Sequence, residues 1–162
     1  MKKLVIYYSL EGNTHFLAES IADCINADIL RLKPKKDIKN NKLKYLIGGK
    51  QASTKKKPEL HSYDINPTEY ELIIIGTPVW AFNMTPAVRS FLHKEHFKNK
   101  KIGLFITNRG GSGKTFEHIK KLLLDNDILG TLDIKEPIKG QDTQRQVACK
   151  WAQELIDKVN DS

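Results

Sequence analysis

Cysteine is scarce in this chain. Its 162 residues carry two, Cys24 and Cys149, far apart and outside any C-x-x-C spacing. That spacing argues against a redox dithiol motif and against a zinc site. Both fall in helical patterns among apolar neighbours, so they are expected to be buried thiols acting as small hydrophobes in a reduced, cytoplasmic setting. No apolar run approaches the roughly 18–20 residues of a membrane span. A strand pattern begins within three residues of Met1, so no charged-then-apolar export signal is expected.

Acid is the minority sign. Asp and Glu number 19 against 27 Lys and Arg, a net charge of +8. Lysines gather at Lys33, Lys35, Lys36, Lys39, Lys42, Lys44, Lys50, Lys55, Lys56 and Lys57, with a second group at Lys98, Lys100 and Lys101. Such a surface is either a solubilising face or a guide for acidic partners. Nucleic acid is not an expected partner, because Arg is scarce beside Lys and no basic stretch is interleaved with aromatics. The length suits one domain, residues 1–162, able to bury a core without metal or disulfide staples.

What is present is an alternation of strand and helix patterns, which predicts an α/β fold with a parallel sheet covered on both faces. Leu4–Tyr8, Asp28–Leu32, Leu72–Gly76, Ile102–Thr107 and Ile128–Ile138 read as strands, the last interrupted at Pro137. Helices are expected at Asn13–Asn26, Thr85–His93, Thr115–Asp125 and Asp142–Val159. The closing helix should turn Val147, Trp151, Leu155 and Val159 to one face. The segment from Lys33 to Pro67 is too long for a simple crossover, and within it Ile38–Ile47 is predicted to form a helix stopped by Gly48-Gly49. Five strands and four or five helices fit a doubly wound five-stranded parallel sheet of order 2-1-3-4-5. Its ligands would sit beyond the carboxyl ends of the strands, at the switch point.

Three loops should meet there. The first reads Ser9-Leu10-Glu11-Gly12-Asn13-Thr14, between an apolar strand and a helix start. Free N–H groups of the first helical turn and the positive end of the helix dipole make this an anion site; Ser9, Asn13 and Thr14 add short side-chain donors. The motif contains no Lys or Arg, so a phosphate would be held by neutral donors. The competing reading is an ordinary N-capped turn. A dinucleotide fingerprint is weaker, since Gly12 is the one glycine present.

The loop after the third strand reads Thr77-Pro78-Val79-Trp80-Ala81-Phe82, apolar and aromatic where surface loops are usually polar. A flat π-ligand stacked on Trp80 or Phe82 explains it; aromatic cover for the sheet end also does. The loop after the fourth strand reads Thr107-Asn108-Arg109-Gly110-Gly111-Ser112-Gly113. Its glycines allow close backbone approach to a ligand, or serve as a flexible helix lead-in. Continued to Lys114-Thr115, it nearly matches a nucleotide P-loop, but Asn108 stands where the first glycine is required and no strand ends in a metal-holding Asp.

Taken together, the three loops resemble those of the flavodoxin family over essentially the whole chain. The likeness implies FMN as cofactor, its phosphate held by the Ser9–Thr14 loop, with Leu10 and Glu11 contributing backbone. Glu11 would turn its carboxylate to water. Thr77, Pro78, Val79, Trp80, Ala81 and Phe82 would line the isoalloxazine. Thr107, Asn108, Arg109, Gly110 and Gly111 would close its pyrimidine side. No metal and no catalytic side chain is implied. The expected activity is electron transfer to a redox partner protein, acidic if the basic surface guides it. The alternative is an FMN-dependent NAD(P)H oxidoreductase reducing a quinone-like acceptor.

Two features depart from the family pattern. Flavodoxin electron carriers are strongly acidic, and residues 107–113 lack the aromatic that commonly stacks on the outer flavin face. That face is therefore expected to be open or covered by another segment, for which the 33–67 insertion is the candidate. Arg109 and Lys114 flank the edge that becomes negative on reduction and should make the second-electron potential less negative than in acidic flavodoxins.

Overall fold

The computed structural model describes residues 1–39 and 44–161. Its sheet has the order β2-β1-β3-β4-β5, every neighbouring pair parallel. The strands are β1 (Lys3–Tyr7), β2 (Asp28–Arg31), β3 (Leu72–Pro78), β4 (Lys101–Asn108) and β5 (Asp127–Lys135). Between them run α1 (Asn13–Ile25), α2 (Lys44–Ser53), α3 (Pro86–Lys94) and α4 (Thr115–Lys120), and α5 (Gln141–Asn160) closes the chain.

The central strands are continuous apolar runs because both of their faces are covered. On one face Ile73, Ile75 and Leu104 pack with Val88 and Phe91 of α3 and Ile119 of α4. On the other, Val5, Ile74 and Phe105 pack with Leu17 and Ile21 of α1 and Trp151 and Leu155 of α5. Each such fully enclosed side chain contributes roughly 1.5–3 kcal/mol of burial. Two glycines let these layers close. A β-carbon on Gly76 would meet the Phe105 ring at 2.0 Å, and one on Gly103 would meet Leu155 Cδ1 at 2.5 Å.

Several elements differ from expectation. The helix of the insertion is Lys44–Ser53 and runs straight through Gly48-Gly49 instead of stopping there; residues 40–43 of the expected Ile38–Ile47 helix lie outside the described residues. Helix α4 ends at Lys120, and Leu122 and Leu123 lie beyond it. Strand β5 ends at Lys135 because Pro137 opens a single 3-10 turn, Pro137–Gly140. Val147 is exposed, since α5 presents Ala148, Trp151, Ala152 and Leu155 to the sheet. Cys24 and Cys149 are not buried thiols: they form a disulfide between α1 and α5 across 125 residues of sequence. Both sit near the outer edge of the helix pair, where packing of two distant helices brings them together. The argument for a reducing compartment loses its support with them. Among the described residues, no helix is long and apolar enough to cross a membrane.

Candidate functional site

The carboxyl ends of β1, β3 and β4 open into a cavity of about 370 Å³. Of the residues expected around a ligand, all but Gly12 and Thr77 line it. Gly12 instead makes the turn possible. Its φ of +102° is open to glycine at little cost, and it stands as the N-cap of α1. Thr77 is wholly buried; its Oγ accepts the Thr85 N–H at 3.1 Å, which ties the β3 loop to the start of α3.

The polar end of the cavity is the Ser9–Thr14 loop. Ser9 Oγ accepts the Gly12 N–H at 3.1 Å, so its own hydrogen remains to be donated. Thr14 and Thr107 are both buried, with their Oγ atoms 2.8 Å apart, which links the first and fourth loops at their base. Arg31 of β2 donates to the Ser9 carbonyl at 3.1 Å and braces the loop from the sheet edge.

Glu11 departs from expectation. Its carboxylate does not face open water but pairs with Lys44 of α2 and, at 3.1 Å, with Arg109 of the β4 loop. Arg109 also lies 3.8 Å from Glu136, whose carboxyl is held below the usual range, first by its bond to Lys139. Cations thus reach the rim of a loop that carries none of its own, and Glu11 joins the insertion to the fourth loop across it.

The apolar end is built around Trp80. The Tyr8 ring meets it edge-on, centroids 5.5 Å apart, and the Tyr8 hydroxyl donates to Asp37 at 2.6 Å. Burial and that carboxylate keep the Tyr8 hydroxyl protonated, its pKa pushed far up. On the other side, α2 presents Gly48: a β-carbon there would lie 3.0 Å from the Trp80 ring. The turn that follows is closed by reciprocal bonds between Trp80 and Asn83, at 2.9 and 3.0 Å. Its central residues, Ala81 and Phe82, have φ of +49° and +58°, values that ordinarily call for Asn or Gly. Phe82 is held there by Gly113, where a β-carbon would come within 2.4 Å of the Phe82 Cβ, and it remains 62% exposed at the cavity rim.

Lys44, Gly48 and Gly49 line the cavity without having been expected there. No motif marks Lys44 within a polar insertion, and the glycine pair reads locally as a helix stop. Only packing against Trp80 and Ala81 explains glycine inside a helix.

A family model described as flavodoxin matches residues 2–135. No curated protein matches the chain by sequence. Among solved structures, a Lactobacillus acidophilus flavoprotein in complex with FMN is 23% identical, with a TM-score of 0.70, over 87% of this chain and 97% of its own. An archaeal flavodoxin is 16% identical, TM-score 0.67, with 99% of both chains covered. The two-electron reduced flavodoxin of Megasphaera elsdenii is 19% identical, TM-score 0.58, over 91% of this chain and 98% of its own. At these identities the likeness shows a shared fold.

Proposed function

The chain belongs to the flavodoxin family, and from that premise we propose that its cavity holds FMN and that the protein transfers electrons to a redox partner protein. The observation that carries this reading is the polarity of the cavity, with a hydroxyl-rich turn at a helix start on one side and an aromatic wall on the other. A flavin with a phosphorylated side chain has those two ends. The L. acidophilus neighbour is described with FMN bound, and the M. elsdenii neighbour as a two-electron reduced flavodoxin.

When bound, FMN supplies one- and two-electron redox chemistry, and the protein sets its orientation and potential. Ser9, Asn13 and Thr14 would hold the phosphate. Trp80 would wall the ring on one side, with α2 and its two glycines lining the cavity beside it. Gly110 and Gly111 would offer backbone to the polar edge. No acid or base is required of the protein for this task. The basic surface suits a partner that presents carboxylates.

The test is an anaerobic titration of FMN-loaded protein, first with NADH and NADPH, then with dithionite. Indifference to both nucleotides and two separable one-electron steps under dithionite are expected of a carrier. Rapid bleaching by either nucleotide would overturn that reading in favour of a reductase, and failure to retain FMN would overturn both.

A further inference from the structure

Arg89 is a charge that the cavity does not use. It lies one turn into α3, is 6% exposed, and among the described residues no acceptor reaches its Nε or Nη2. A guanidinium stays protonated in proteins, and enclosing one without counter-charge is strongly unfavourable.

The ionisable groups around it aggravate the problem. His118 of α4 lies in the field of the Lys121, Arg89 and Lys55 cations, with Glu117 as the opposing charge. His93, one turn further along α3, feels the charges of Lys57, Arg89 and His96. Burial, and then these cations, hold both imidazoles below their usual pKa. The lysine segment is fastened in place, because Ser90 Oγ donates to the Pro58 carbonyl at 2.6 Å. His118 is oriented too. Asn83 Oδ1 accepts the Met84 N–H at 2.9 Å and lies 3.0 Å from His118 Nδ1. Nδ1 therefore carries the hydrogen, and Nε2 is left to take a second proton.

We propose that Arg89 and His118, with Lys55 and Lys57 beside them, form an anion site that takes a phosphate group, either free or as a terminal phosphomonoester. A phosphate brings between one and two negative charges near neutral pH and three acceptor oxygens. It can accept a forked pair of bonds from a guanidinium and a further one from protonated His118. A single carboxylate would leave more of the clustered charge uncompensated. None of the four residues lines the cavity. Asn83, which orients His118, also closes the Trp80 turn, so His118 is tied to the turn that carries Phe82. The site does not rest on the flavin reading.

Inorganic phosphate is titrated into the full chain, saturated with FMN where FMN binds, at ionic strength held constant with chloride. The Arg89 Nε–H resonance, the His118 titration and Tm are followed. A saturable Nε–H shift, an upward move of the His118 pKa and a Tm that climbs with phosphate concentration are expected. Arg89→Met should abolish the Tm response while keeping a Tm in chloride at least equal to wild type. Where that variant does not fold, His118→Gln should weaken the phosphate response several-fold.

NADPH and NADH form the second arm. A shift at lower concentration with NADPH than with NADH or phosphate assigns the site to a nucleotide phosphomonoester; a response to phosphate alone assigns it to the free anion. If no probe moves the Arg89 resonance, the proposal is overturned. It is overturned equally if Arg89→Met keeps the whole Tm response, which would then belong to the Ser9–Thr14 loop.

Discussion

Thr14→Val keeps the shape of the side chain and deletes one hydroxyl. In the structure that hydroxyl and the one on Thr107 are 2.8 Å apart in residues 1% and 3% exposed. Each oxygen carries one hydrogen. With a phosphate in the loop, the consistent arrangement has Thr107 donating to Thr14 and Thr14 donating outward. A hydrogen bond to a charged group contributes about 1.5–3 kcal/mol, so FMN affinity should fall by roughly 10- to 150-fold. The substitution also leaves the Thr107 hydroxyl buried without its partner, at a cost of about 1–3 kcal/mol in stability. That second cost falls on the free protein and on both ligand complexes alike, so it cancels from the ratio of FMN to riboflavin affinity. The assay is the dissociation constant for FMN and for riboflavin by quenching of flavin fluorescence, with a urea midpoint beside it. Equal losses for the two ligands would show that the phosphate does not sit at Thr14, however much the variant is destabilised.

Gly48→Leu should weaken flavin binding at least tenfold and perturb Trp80 fluorescence, because even a β-carbon presses on that ring at 3.0 Å; unchanged affinity would separate α2 from the ligand. Reducing the Cys24–Cys149 disulfide should lower stability by about 2–4 kcal/mol, read by calorimetry, and Cys24→Ser should match it with no additional effect of reductant. His93 and His118 are held below their ordinary pKa in the folded protein, so the unfolded chain binds more protons. Stability in chloride should therefore fall as pH drops below about 6.5 and level off above it; His118→Gln should reduce that slope, and an identical slope would refute the assignment. Arg109→Ala should make the second-electron potential of bound FMN more negative. The shift should be smaller than for an unopposed charge, because Glu11 and Glu136 already face Arg109; potentiometry with an unchanged or higher value would refute it.

The strands and the three loops were legible because each carries its own local signal, and the strand order came from the doubly wound arrangement that their alternation with helices fits. Continuous β-branched runs mark strands buried on both faces, and a turn of small polar residues ahead of an amphipathic pattern marks a helix start on a strand end. Pairings between distant segments have no such signal. Cys24 and Cys149 look like core residues in their own helices, and only the packing of α1 on α5 turns them into partners. Gly48-Gly49 looks like a stop until Trp80 is placed against it. Glu11 was expected to seek water because its cations come from residue 44 on one side and residue 109 on the other. Each miss is a tertiary contact overriding a correct local preference.

The same distinction governs the charge. A net +8 describes the field far from the molecule, where it draws anionic partners whatever the local arrangement. Close to the cavity the sum is different. Lys44 and Arg109 are met by Glu11, and Arg109 and Lys139 by Glu136, so these cations at the rim are paired. An unpartnered charge sits instead in α3, at Arg89, with His93 and His118 nearby held below their usual pKa. Screening at physiological salt acts over about 8 Å, so an exposed lysine further than that from the rim adds little to a potential there. Neutralising the surface lysines at 33, 35 and 36 should slow association with an acidic partner. Arg89→Met should abolish the phosphate response.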